Sequence, residues 1–187
     1  MSKTIYMIKK YIPYNEQEKA DKEFFISCEN KDQILTRDNH LAHLTSSIFI
    51  INKSKTKVLC IYHNIYNSWS WVGGHADGDD DMLYVAKKET MEETSLKNFT
   101  VLSDHPISIE SLPVASHFKK GKFVPAHTHL NVTYLFEADE NEIIKIKEDE
   151  NSNISWLNFD ELISKSTEQY MLSVYKKIIE RIKSGNY

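Results

Sequence analysis

The chain has 187 residues, enough for one sizeable hydrophobic core and few for two independent ones. Hydrophobic content of 41% and charged content of 27% are ordinary globular values and exclude wholesale disorder. With 23 basic against 27 acidic residues the formal net charge is -4, which argues against a protein that coats DNA or RNA, because that binding rests on neutralising phosphates with Lys and Arg.

The opening MSKTIYMIKKYIPYNEQ has no apolar run suited to an export signal. No stretch approaches the ~20 apolar residues of a membrane span. A cytoplasmic protein without membrane attachment is therefore expected. Cys28 and Cys60 lie in apolar stretches with no CxxC spacing, and read as reduced, buried thiols. Asn98-Phe99-Thr100 and Asn131-Val132-Thr133 match glycosylation sequons and, without an export signal, read as chance.

Residues 1–40 read as an attached N-terminal element. Ala20, Phe24 and Phe25 have helical spacing, so a helix is predicted over 16–29, with Pro13 and Asn15 at its start. From Leu41 the texture changes. Leu44 to Ile51 and Lys57 to His63 are rich in β-branched residues and predict two strands joined as a hairpin. Trp69 to Gly78 holds three glycines in six residues and predicts a tight loop. Asp79, Asp80 and Asp81 then suit a helix N-terminus, and Met82 to Thr94 predicts the helix. Further strands are predicted at 107–112, 114–118, 129–137 and 154–157, with a turn over 119–122. A short helix starts at Phe159, and the helical spacing of Met171, Leu172, Val174, Tyr175, Ile178, Ile179 and Ile182 predicts an amphipathic helix over 167–183. The order implies a layered α+β fold.

The chemistry concentrates between Gly74 and Leu96. Glu89, Glu92 and Glu93 stand at i, i+3 and i+4, within about 100° of arc on one helix face. Three carboxylates that close repel one another. A hard divalent cation between them resolves the repulsion, and magnesium binds through few carboxylates plus substrate phosphates. A bare ExxEE can equally be a solvated acidic face, with Lys87 and Lys88 moderating it.

The glycine loop upstream decides between those readings. Gly74, five residues, Asp80, seven residues, then Lys88-Glu89-Thr90-Met91-Glu92-Glu93-Thr94-Ser95-Leu96 resembles the signature of the Nudix hydrolase family, with its spacing matched throughout. Trp71-Val72-Gly73-Gly74 resembles the aromatic-x-Pro-Gly-Gly often found before it. Four positions depart. Asp80 replaces Glu, Lys88 replaces Arg and loses its planar fork, Thr90 replaces an aliphatic residue, and Ser95 replaces the glycine that ends the helix. No carboxylate expected to hold metal is lost.

The resemblance implies an α/β/α sandwich around a mixed β-sheet, with residues 1–40 as an N-terminal helical extension and 41–187 as the Nudix domain. It implies a magnesium-dependent pyrophosphohydrolase (manganese is the alternative ion) acting on a nucleoside diphosphate linked to another moiety, or on a similar small phosphorylated substrate. A catalytically weak module that senses a nucleotide on the same scaffold is the alternative reading. A homodimer stays open. Isomerisation of an isoprenoid diphosphate needs a nucleophilic cysteine, and Cys60 in its apolar strand is a poor one.

By the same resemblance, Glu89, Glu92 and Glu93 hold metal, with the Gly74 carbonyl beside them. Lys88 orients Glu89, and one of the three glutamates or a distal acid takes the proton from water. Asp80 braces the turn into the helix. Glu150, in the acidic stretch before the strand at 154–157, is the candidate distal carboxylate, with Glu148 second. His75, His127, His129, Tyr62 and Trp71 are candidate substrate contacts. His127 and His129 alternate and so share one side of a strand, but a zinc site needs a third and fourth ligand that no sequence neighbour supplies. His43 and His63 are assigned structural roles.

Overall fold

The β-branched run near Leu44 forms a strand, β1 (Ala42–Asn52), in which every residue is buried. Side chains of a strand alternate between faces, so both faces of β1 are covered. The other elements, in chain order, are α1 (Lys3–Lys10) and α2 (Glu16–Ser27) before it, then β2 (Lys57–His63), β3 (Ser68–Ser70), β4 (Val72–His75), α3 (Met82–Thr94), β5 (Phe99–Val101), β6 (Ser108–Val114), β7 (His117–Lys119), β8 (Lys122–Val124), β9 (His127–Ala138), β10 (Asn151–Asn158), α4 (Phe159–Lys165) and α5 (Gln169–Ser184). This computed structural model describes residues 2–29, 33–119, 121–147 and 151–187. Among them, no helix is long and apolar enough to cross a membrane.

The chain forms two compact units, one of Met1–Ser46, Gly74–Val85 and Ser108–Thr133, the other of Ser47–Gly73, Ala86–Ile107 and Tyr134–Tyr187. In the second unit the strand order is β10-β2-β1-β9-β5, with β3 on β2. The expected hairpin is present: β1 and β2 pair antiparallel, Ile50 opposite Leu59. Asn52 closes its turn by accepting from the Thr56 and Lys57 amides at 2.9 and 3.0 Å. Helix α5 buries Met171, Val174, Tyr175, Ile178, Ile179 and Ile182, the predicted stripe apart from Leu172, which is half-buried. Tyr175 meets Phe49 at 6.4 Å between ring centroids and Trp71 edge-on at 5.4 Å. Full burial of each such ring stabilises by roughly 1.5–3 kcal/mol. Cys60 is fully buried and burial pushes its thiol up, so it is no nucleophile.

The first unit holds both N-terminal helices. Helix α2 starts where Asn15 predicts, with its side chain accepting from the Glu18 amide at 2.9 Å. It packs against β6 over a buried polar network. Glu18 accepts from the Tyr11 hydroxyl (2.8 Å), the Tyr14 amide (2.7 Å) and the Ser108 hydroxyl (3.0 Å). Glu110 accepts from Asn131 and Thr133.

Several expectations need correcting. Helix α1 is absent from the sequence reading because its eight residues are short of the length at which periodicity is informative. Its N-terminus is held by a distant residue: Asp80 accepts from the Ser2 hydroxyl at 2.6 Å and from the amides of Lys3 and Thr4 at 2.5 and 3.1 Å. Asp80 therefore braces α1, whereas Asp81 and Asp79 brace the entry to α3. Gly73 and Gly74 lie in strand β4, and the sharp turn falls later, at Asp77 (φ 46°) and Gly78 (φ 97°). The strand predicted at 114–118 is divided between β6 and the separate hairpin β7–β8, whose turn carries Gly121 at φ 78°.

Candidate active site

Helix α3 presents the three glutamates as the spacing predicts, in unequal environments. Glu89 and Glu93 are 9% and 7% exposed, while the side chain of Glu92 remains 45% exposed. Glu93 is held from two sides. Lys147 reaches one carboxylate oxygen at 3.0 Å, and the Asn151 amide donates to the other at 2.7 Å. Asn151 opens β10 at a shift in register against β2, and such an irregularity re-aims a strand side chain. Lys147 also stands 4.0 Å from Glu92.

Glu89 has no hydrogen-bond or ion-pair partner among the described residues. Burial first, and then the charges of Glu92 and Glu93, push its carboxyl up to about 7, against the weaker pull of Lys88 and Lys147. Lys88 thus acts on Glu89 through space, and among the described residues the ammonium within ion-pair distance of the triad is that of Lys147.

The departures from the signature have local explanations. Thr90 is fully buried in place of an aliphatic side chain, and its hydroxyl donates back to the Ala86 carbonyl at 2.9 Å. Ser95 adopts φ 59°, the left-handed conformation for which glycine is favoured, and its amide donates to Met91 at 3.0 Å as α3 ends. The Thr94 carbonyl is taken by the Lys145 amide at 2.9 Å.

Tyr62 hydrogen-bonds Asn67 at 2.6 Å and meets Trp69 edge-on, and Trp71 is buried against Tyr175. Neither makes a hydrogen bond or ring contact to the glutamate face among the described residues. Glu150 and Glu148 lie outside the described residues. Lys147 and Asn151 escaped the sequence reading, since only the pairing of β10 reveals which member of that polar stretch meets α3.

Gly74, His75, His127 and His129 belong to the first unit. There His75 and His129 meet edge-on at 4.8 Å, and His127 Nε2 is 3.2 Å from His129 Nε2. His43, assigned a structural role from the sequence, sits among them, 4.8 Å from the His127 ring and 5.1 Å from His75 and His129. Burial, reinforced by Arg37, His43, Lys119 and His127, lowers His75 to about 2. Burial likewise takes His129 well below, and His43 below, the usual histidine range.

Residues 41–181 match the NUDIX domain family. An RNA pyrophosphohydrolase of Pelagibacter ubique (strain HTCC1062) is 30% identical over 141 residues, which cover 73% of this chain and 88% of that protein. Among solved structures, an Ap4A hydrolase binary complex from C. elegans superposes with TM-score 0.56 at 19% identity, covering 75% of this chain and 98% of that one. A NUDIX-family hydrolase from Clostridium perfringens gives 0.54 at 19% identity, covering 74% and 96%. These two share the α+β fold. The chain belongs to the Nudix family and is a Nudix-type pyrophosphohydrolase.

Proposed function

We propose that this enzyme depends on magnesium, with manganese as the substitute ion, and cleaves a phosphoanhydride bond in a nucleoside diphosphate linked to another moiety or in a similar nucleotide-like molecule. The observation that carries this reading is Glu89, a buried carboxyl without a partner among the described residues, next to two further carboxylates. Carboxylate oxygens suit a hard divalent cation, and Glu89, Glu92 and Glu93 would hold it. When bound, such an ion offsets the carboxylate and phosphate charge and eases loss of a proton from the attacking water.

The chain's own groups divide the remaining work. Lys147 and Asn151 hold both oxygens of Glu93, so this carboxylate keeps one orientation. One of the three glutamates, or a distal acid, accepts the water proton. The water oxygen bonds to phosphorus as the anhydride P–O bond breaks, and the leaving phosphate departs with that bond's electron pair. The named activities of the relatives, on RNA and on Ap4A, support a nucleotide-like substrate. Residues 1–40 are proposed as a helical extension to a Nudix domain of 41–187.

The test is a hydrolysis screen of the purified protein, with and without magnesium. The panel comprises nucleoside diphosphate derivatives, dinucleoside polyphosphates and RNA with a 5′-triphosphate. Magnesium-dependent release of product is expected. Natively folded protein with no turnover on any member, yet tight nucleotide binding, would replace hydrolysis by sensing.

A further inference from the structure

Four histidines from three separate stretches of chain converge inside the first unit, independently of the glutamate face. One ring nitrogen from each of His43, His75 and His129 lies within 4.8 Å of the others. His127 completes the group, its Nε2 at 3.2 Å from His129 Nε2 and its ring stacked on His43. The third and fourth rings that no sequence neighbour of His127 and His129 supplies thus come from β1 and β4.

Two backbone carbonyls determine what these rings can bind. The Asn39 carbonyl lies 3.0 Å from His43 Nδ1, and the Pro125 carbonyl 2.9 Å from His127 Nδ1. A carbonyl only accepts, so each Nδ1 carries a proton, and in the neutral ring the lone pair sits on Nε2. Metal-ligating histidines are oriented in this way, by donation from the second nitrogen to a carbonyl. His43 is 3% exposed, and its Nε2 is buried without a hydrogen-bond partner. A cation would satisfy that lone pair, whereas an anion such as phosphate would find no donor on it.

Size agrees with chemistry. Nitrogens about 2.0–2.1 Å from a tetrahedral zinc ion are roughly 3.3–3.4 Å apart, close to the His127–His129 separation of 3.2 Å. The wider separations among the other rings close by side-chain rotation. The neighbouring guanidinium of Arg37 is engaged by both oxygens of Asp77, at 2.8 and 2.6 Å. We propose that His43, His75, His127 and His129 form a closed, structural site for a borderline transition-metal ion of the zinc type. Imidazole nitrogens favour such an ion over magnesium, which prefers oxygen. The site ties the start of β1, the end of β4 and the start of β9 together within the unit.

The decisive experiment titrates chelator-stripped protein with zinc, by calorimetry, against a background of excess magnesium that competes for the carboxylates. One equivalent binds, and cobalt(II) in its place gives the visible absorption of a tetrahedral site. His43→Gln and His129→Gln each weaken zinc binding by ~100-fold or more, and Glu93→Gln leaves it unchanged. Proton–nitrogen correlation spectra of the wild-type imidazoles need no variant: zinc moves Nε2 of His43 and His127 and leaves their Nδ1 protonated. Wild-type protein that takes up no zinc overturns the proposal. So does zinc binding lost in Glu93→Gln and retained in His43→Gln, or a spectrum in which no histidine nitrogen moves.

Discussion

The unpartnered carboxyl of Glu89 makes metal binding at the triad depend on pH, with a sign and a size that follow from its surroundings. In the metal-free protein Glu89 is pushed up to about 7 by burial and by Glu92 and Glu93. Its folded value exceeds the ordinary carboxylate value, so the protonated form is preferred, and stability is lost as pH rises through about 7. A cation reverses that preference because it binds only the ionised carboxylate. At pH 6 about one tenth of the sites are ionised at Glu89, and at pH 8 about nine tenths, so magnesium affinity should rise roughly tenfold between them, about 1.4 kcal/mol. Calorimetric magnesium titrations at pH 6, 7 and 8, in buffers of different ionisation enthalpy, measure affinity and proton release together. About half a proton per ion is expected to leave at pH 7. Glu89→Gln should weaken binding and flatten the dependence. A wild-type affinity that is level between pH 6 and 8, with no proton release, would refute the assignment of Glu89 as a buried ligand.

Glu93→Gln keeps the size of the side chain and its contact with Asn151 but removes a charge. It is expected to melt like wild type and to lose at least ~100-fold in magnesium-dependent turnover, and undiminished turnover in the hydrolysis assay would remove Glu93 from the mechanism. Ser95→Gly relieves a left-handed serine at the end of α3 and should stabilise by about 0.5–1 kcal/mol, read as a rise of roughly 1–4 °C in thermal midpoint; an unchanged or lower midpoint would count against strain there. Asp80→Ala removes the acceptor at the start of α1 and should cost about 1 kcal/mol in denaturant unfolding, with faster hydrogen exchange at the Lys3 and Thr4 amides; unaltered exchange would mean that Asp80 does not hold that helix.

Much of the molecule was legible before any coordinates. The hydrophobic periods marked β1, β2, α3 and α5, because each buries a face whose repeat matches its own geometry. The spacing from Gly74 to Leu96 identified the family and placed three glutamates on one helix face, since i, i+3 and i+4 adjacency is a property of the helix alone. Short elements were not legible. Helix α1 takes its N-terminal acceptor from Asp80, and β4 exists through pairing with β1, so neither carries a local signal.

Which glutamate is buried, and what holds it, also lay beyond the sequence. Glu89 and Glu93 are sheltered while Glu92 is open, and Glu93 meets Asn151 only because β10 shifts register at its first residues. The histidines divide in the same way. Alternation placed His127 and His129 on one side of a strand, but His43 and His75 join them only when β1 and β4 bring distant stretches of the chain to one place. A helix turn or a strand pleat is a local rule that sequence determines directly. Contacts between segments far apart along the chain arise from packing and pairing, and only the tertiary structure decides them.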